Sequence, residues 1–145
     1  MAALIPKNIR TILDIGCGQG AFLELVKEQT SAEFWGIEMI TEVAERAKDR
    51  VDNILVGKIE DVLSSFPNNY FDCITFKDVL EHLTEPTEVL KMIRSKLSQK
   101  GIIIASISYV RHFRNLYELL IKSFGNTKRM VYLILLIFVF SLRRA

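Results

Sequence analysis

The chain predicts an α/β fold, a doubly wound and mainly parallel Rossmann-like sheet of about five strands, on three observations. Short apolar runs alternate with segments of helical periodicity from the first turn onward. The strand-length runs are nearly all apolar instead of alternating, as expected of strands buried on both faces. Gly16, Gly18 and Gly20 follow the first of these runs, where such a sheet places its ligand-binding turn. At 145 residues the chain has the length of one domain.

The elements follow in order. Thr11 to Ile15 reads as a strand, and Ala21 to Glu28 as a helix that gathers Phe22, Leu25 and Val26 on one face. Phe34 to Ile37 is a second strand, Val43 to Val51 a charged amphipathic helix, Ile54 to Val56 a third strand and Glu60 to Ser64 a short helix. Phe71 to Phe76 gives the fourth strand. Pro86 opens a helix running to Leu97, at a first-turn position where the missing N–H costs nothing. Gly101 suits the turn out of that helix, and Ile102 to Ile107 is the fifth strand. A last helix is expected from His112 to Lys122.

Charge divides the chain unevenly. The first 118 residues hold 14 basic and all 17 acidic residues, a net of −3, whereas the remaining 27 carry five basic residues and no acid. The division places a core at residues 1–123 and an apolar, basic-flanked tail at residues 124–145. Two cysteines, Cys17 and Cys73, form no CxxC pair, so neither a metal site nor a disulfide framework is expected and a reducing cytoplasm is the default. Met1 to Lys7 lacks the charged start and long apolar stretch of a signal peptide.

The glycine turn carries the chemistry. Glycine tolerates positive φ and leaves room for a ligand to approach the backbone. Dinucleotide sites use G-x-G-x-x-G, which aims a helix N-terminus at a pyrophosphate. Here the spacing is G-x-G-x-G, Asp14 stands two residues before it, and Glu38 closes the second strand 22 residues after Gly16. A carboxylate at Glu38 can accept both ribose hydroxyls. Asp14 disfavours a nearby pyrophosphate and favours a cofactor bearing positive charge, a description that S-adenosylmethionine meets with its ammonium and sulfonium.

Leu13 to Gly20, Gly36-Ile37-Glu38-Met39, Phe71-Asp72-Cys73-Ile74, Asp78-Val79-Leu80-Glu81-His82-Leu83 and Gly101 to Ser108 together resemble the successive motifs of class I S-adenosylmethionine-dependent methyltransferases. The likeness is to the small-molecule branch that includes ubiquinone-biosynthesis O-methyltransferases. It implies that backbone at Gly16 and Gly18, with Cys17 and Gly20 in the same turn, faces the methionine part, and that Asp14 holds its ammonium directly or through water. It further implies that Glu38 binds the ribose, Met39 packs on the adenine, Ile59 and Glu60 border its other side, and the Lys77 backbone lies near the methionine carboxylate. Lys58 departs from the pattern, because the family commonly has an acid there. His82 is the candidate general base, its pKa suiting the task; the alternative is a histidine that caps or packs against the following helix.

The expected activity is methyl transfer to a small-molecule or lipid-linked acceptor, with a non-catalytic S-adenosylmethionine-binding or interaction module as the alternative. Nucleic acid is disfavoured as a partner: Lys77-Asp78-Val79-Leu80 stands where base-amino methyltransferases have an [Asn/Asp]-Pro-Pro-aromatic turn and base-carbon enzymes a Pro-Cys nucleophile. The tail run Met130 to Leu142 is roughly 20 Å long as a helix, too short to cross a hydrocarbon core of roughly 30 Å. It reads as a strand along the fifth strand, as an interfacial segment touching anionic lipid, or as a truncated or frame-shifted end in place of the family's last strands. The third reading is favoured by the loss of acids. An exposed fifth-strand edge would also invite a homodimer.

Overall fold

The computed structural model describes residues 1–106 and 134–136. Strands β1 (Thr11–Ile15), β2 (Glu33–Glu38), β3 (Asn53–Val56), β4 (Phe71–Lys77), β5 (Leu97–Ser106) and β6 (Ile134–Leu136) form one sheet in the order β3-β2-β1-β4-β5-β6. Every pairing is parallel. Helices α1 (Ala21–Lys27), α2 (Thr41–Ala47), α3 (Ile59–Val62) and α4 (Pro86–Lys96) connect the strands. The order reverses between β1 and β4, which opens a crevice beyond their carboxyl ends.

Two apolar layers sandwich the sheet, and strand alternation decides which residue joins which. Leu13, Ile15, Ile74 and Phe76 face α4 and the segment after β3, where Leu63, Leu90 and Ile93 are fully buried. Ile12, Phe34, Cys73 and Ile104 face the opposite way, against Phe22, Leu23 and Val26 of α1 and Ala47 of α2. Asp14 shares that second face. It lies directly across from Thr75 in the β1–β4 register.

Three expectations about the elements are corrected. The second helix begins at Thr41 and ends at Ala47, because the N–H groups of Arg50 and Val51 both turn back to the Ala47 carbonyl and send Val51 into the core. The third helix is a single turn, Ile59–Val62, continued as a tighter turn over Leu63–Ser65. Gly101 lies inside β5 and not in a turn before it. Phe71 pairs with Leu97 but Cys73 with Ile102, so extra residues of β5 bulge there, and a Cβ at Gly101 would stand 2.8 Å from the Phe71 carbonyl oxygen.

Of the apolar tail, Ile134–Leu136 pairs in parallel with Ile104, Ala105 and Ser106. The expected helix from His112 to Lys122 and the rest of the tail, with the lipid-contact, homodimer and domain-boundary readings built on it, lie outside the described residues. No helix among the described residues is long and apolar enough to cross a membrane.

Candidate active site

The turn after β1 is tied down on every side. The N–H groups of Gly16 and Cys17 donate to the Ile37 carbonyl at 2.9 and 3.0 Å, and that of Gly20 donates to the Cys17 carbonyl at 3.0 Å. Gly18 donates its N–H to Glu38 Oε2 at 2.9 Å, while Glu38 Oε1 accepts the Ile40 N–H at 3.0 Å. The turn's four glycine and cysteine N–H groups therefore already have partners. A phosphate cradle needs such groups aimed at the ligand, and here a carboxylate holds the place an anion would take.

Two glycines show what the turn requires. Gly16 has φ +70°, and a Cβ there would lie 2.6 Å from Val79 Cγ2, so the turns after β1 and β4 touch through it. At Gly18, with φ +57°, a Cβ would meet nothing within 4 Å; the backbone faces open space that a ligand can enter. Cys17 turns inward instead. Its side chain is buried at 6% exposure, its Sγ would stand 2.6 Å from a Cβ on Gly36, and burial with the neighbouring carboxylates of Asp14 and Glu38 pushes its thiol up to about 12. It is a space-filling thiol and not a nucleophile.

Asp14 lies beneath the turn at 1% exposure. Its Oδ1 accepts the Thr75 hydroxyl at 2.6 Å. Burial pushes its carboxyl from 3.8 up to about 7, opposed by the Thr75 hydrogen bond and the Lys77 charge. Its side chain is enclosed, so any effect on a ligand passes through the field and the backbone it supports.

A cavity of about 400 Å³ runs along the crevice, within the roughly 300–1,000 Å³ of small-molecule sites. Ile15, Ile37, Ile59, Val79 and Leu83 supply its apolar surface, Glu38, Lys58, Glu60, Asp78 and His82 its polar groups, and Gly16 and Met39 also border it. Met39 is 60% exposed, an apolar side chain left at the rim. The cavity thus brings together Gly16, Glu38, Met39, Ile59 and Glu60. Asp14, Cys17, Gly18, Gly20 and Lys77 do not line it; Gly20 packs its Cα against Ala47, Arg50 and Val51 of α2 and the turn that ends it.

Asp78 is the residue whose role the sequence did not announce. It has φ +54°, a conformation that aspartate tolerates better than most residues but seldom adopts without a local reason. Its N–H donates to the Ser106 carbonyl at 3.2 Å and its Oδ1 accepts the Ser106 hydroxyl at 3.3 Å, which ties the end of β4 to that of β5. An aspartate directly after the last residue of the strand, Lys77, is the available signal.

Residues 13–105 match the family model described as a methyltransferase domain. The chain belongs to this methyltransferase domain family. Among its relatives, the mitochondrial ubiquinone biosynthesis O-methyltransferase of Saccharomyces cerevisiae is 32% identical over 102 residues, covering 66% of this chain and 33% of the yeast protein. A SAM-dependent methyltransferase from Archaeoglobus fulgidus superposes with a TM-score of 0.61 at 31% identity, over 67% of this chain and 44% of that one. The plantazolicin methyltransferase BpumL, solved with a triazolic desmethylPZN analog and SAH, gives a TM-score of 0.57 at 26% identity, over 66% of this chain and 37% of its own. The chain spans less than half the length of each. The residues matched by the family model run from within β1 to within β5 and include the glycine turn, Glu38 and Asp78.

Proposed function

We propose that the chain is the cofactor-binding core of an S-adenosylmethionine-dependent methyltransferase acting on a small-molecule or lipid-linked acceptor. The observation that carries this reading is the Glu38 carboxylate, fixed by the Gly18 and Ile40 N–H groups at the edge of an apolar cavity whose glycine turn is closed to phosphate. Each carboxylate oxygen keeps a further lone pair for a ribose hydroxyl. Met39 and Ile59 would pack on the adenine, with Glu60 at its polar edge. The open backbone at Gly16 and Gly18 would face the amino-acid part. Asp14, enclosed beneath, would in its ionised form, above about pH 7, favour a cation there through its field instead of by contact. The Lys77 backbone, at the end of β4, would border the same part.

Such a cofactor supplies a methyl group on a sulfonium. What remains for the protein is alignment of the acceptor, which contributes most to an in-line displacement. The yeast and BpumL relatives are named for small molecules, which supports an acceptor of that class. Cys17 and Cys73 are free thiols, which fits a reducing cytoplasm as the place of action.

Calorimetric titration with S-adenosylmethionine and SAH tests the reading, using the wild type and Glu38→Gln. Binding by the wild type and at least about tenfold weaker binding by the variant is expected, since one charge-assisted hydrogen bond is worth roughly 1.5–3 kcal/mol. Absence of binding by the wild type overturns the proposal. Binding without transfer to any acceptor would instead favour a non-catalytic module.

A further inference from the structure

A second cavity, of about 350 Å³, opens at the same end of the sheet but on the α1 side. Met1, Phe22 and Leu25 give it apolar walls, and Lys77, Asp78 and Ser106 close it at the ends of β4 and β5. Leu25 is 55% exposed, a large apolar side chain with no packing role to explain it. The Lys77 ammonium stands 5.9 Å from the centre of the Phe22 ring, within the range of a cation–π contact. Asp78 borders this cavity and the first one alike. The two spaces therefore share one wall residue, itself held in the left-handed conformation and anchored to Ser106.

We propose that this second cavity takes the methyl acceptor, and that the acceptor is an apolar molecule whose reacting group is a hydroxyl, its oxygen stabilised by the Lys77 ammonium as the proton leaves. The inference rests on the reading of the first cavity as the cofactor's. An acceptor must sit against that cavity, and the space sharing Asp78 meets the condition. The apolar walls suit an apolar body. The charge decides the reacting group: an ammonium repels a protonated amine and lowers the energy of an oxyanion. The acidic groups nearby are Asp78, already accepting the Ser106 hydroxyl, and Asp14, enclosed beneath the strand ends and bonded to Thr75. In the transfer an oxygen lone pair forms the new bond to the methyl carbon, the carbon–sulfur bond breaks, and its electron pair stays on sulfur, leaving a neutral thioether. The hydroxyl proton passes to water.

The test uses the full chain saturated with SAH, with 4-nitrophenol as an acceptor probe read by absorbance across pH. Bound probe should ionise about one unit lower than free probe, as a nearby opposite charge dictates. Lys77→Met should abolish that shift and weaken probe binding at least fivefold, and Lys77→Arg should restore both. SAH affinity should stay within about twofold in either variant, because the Lys77 side chain lines the second cavity and not the first. An unshifted or unbound probe in the wild type, or a shift that survives Lys77→Met, overturns the proposal. So does a large loss of SAH affinity in Lys77→Met, which would assign the ammonium to the cofactor's own carboxylate. Failure of the wild type to bind SAH would defeat the reading of the first cavity, and is scored separately from the probe's shift on the SAH-free protein.

Discussion

Replacing Asp14 by asparagine should flatten the dependence of stability on pH. The folded chain holds the Asp14 proton until about pH 7, whereas the unfolded chain releases it near the ordinary value of 3.8, and burial is the main cause. Between those values the folded state binds more protons, so stability declines as pH rises; the contribution is fully present below 3.8 and lost above 7. A difference of about three units corresponds to about 4 kcal/mol in total, of which roughly 2.5 kcal/mol falls between pH 5 and pH 8. Asparagine can still accept the Thr75 hydroxyl but does not titrate. Its amide brings two N–H donors into the enclosed site, so the slope is the informative quantity and not the absolute stability. Urea unfolding of both proteins at intervals from pH 5 to pH 8 measures it. The wild-type curve should fall by roughly 2.5 kcal/mol more than the Asp14→Asn curve. Parallel curves would refute the burial argument.

Gly16→Ala should destabilise by about 2–5 kcal/mol, from roughly 1–2 kcal/mol of left-handed backbone strain and about 1–3 kcal/mol of overpacking against Val79. Adding Val79→Ala should recover only the overpacking part, so a denaturant-based double-mutant cycle should show a coupling energy of roughly 0.5–3 kcal/mol, and strict additivity would contradict the contact. His82 borders the first cavity and does not line the second, so His82→Ala should keep methyl transfer within about fivefold of the wild type. A loss of roughly 100-fold or more in a single-turnover assay would restore it as a general base.

Much of the scaffold was legible because strands buried on both faces leave runs that are nearly all apolar. Thr11 to Ile15 was legible to the residue, and the spacing of Gly16, Gly18 and Glu38 located the turn and its carboxylate. Tertiary contacts were not legible. Nothing local in the sequence distinguishes an Asp14 that touches a ligand from one enclosed against Thr75, since the difference lies in the pairing of β1 with β4. Gly101 follows the polar run Ser98-Gln99-Lys100, which reads as a turn, yet the bulge opposite Phe71 keeps it in the strand. Cys17 and Gly36 explain each other only once β1 and β2 lie side by side. The left-handed Asp78 likewise follows from the anchoring of β4 to β5 through Ser106.

In the turn after β1 the glycine and cysteine N–H groups are already bonded, and Gly18 donates its own to the Glu38 carboxylate. Parallel calorimetric titrations of the wild type with SAH and with ADP test this most directly. Both ligands carry adenine and ribose, but ADP would bring its phosphates to the turn, where the Gly16, Cys17 and Gly18 N–H groups are already bonded and Glu38 lies close by, and a like-charge interaction of roughly 1–4 kcal/mol should leave it at least about tenfold weaker than SAH. ADP binding as tightly as SAH would contradict a turn closed to anions and return it to the phosphate-binding class.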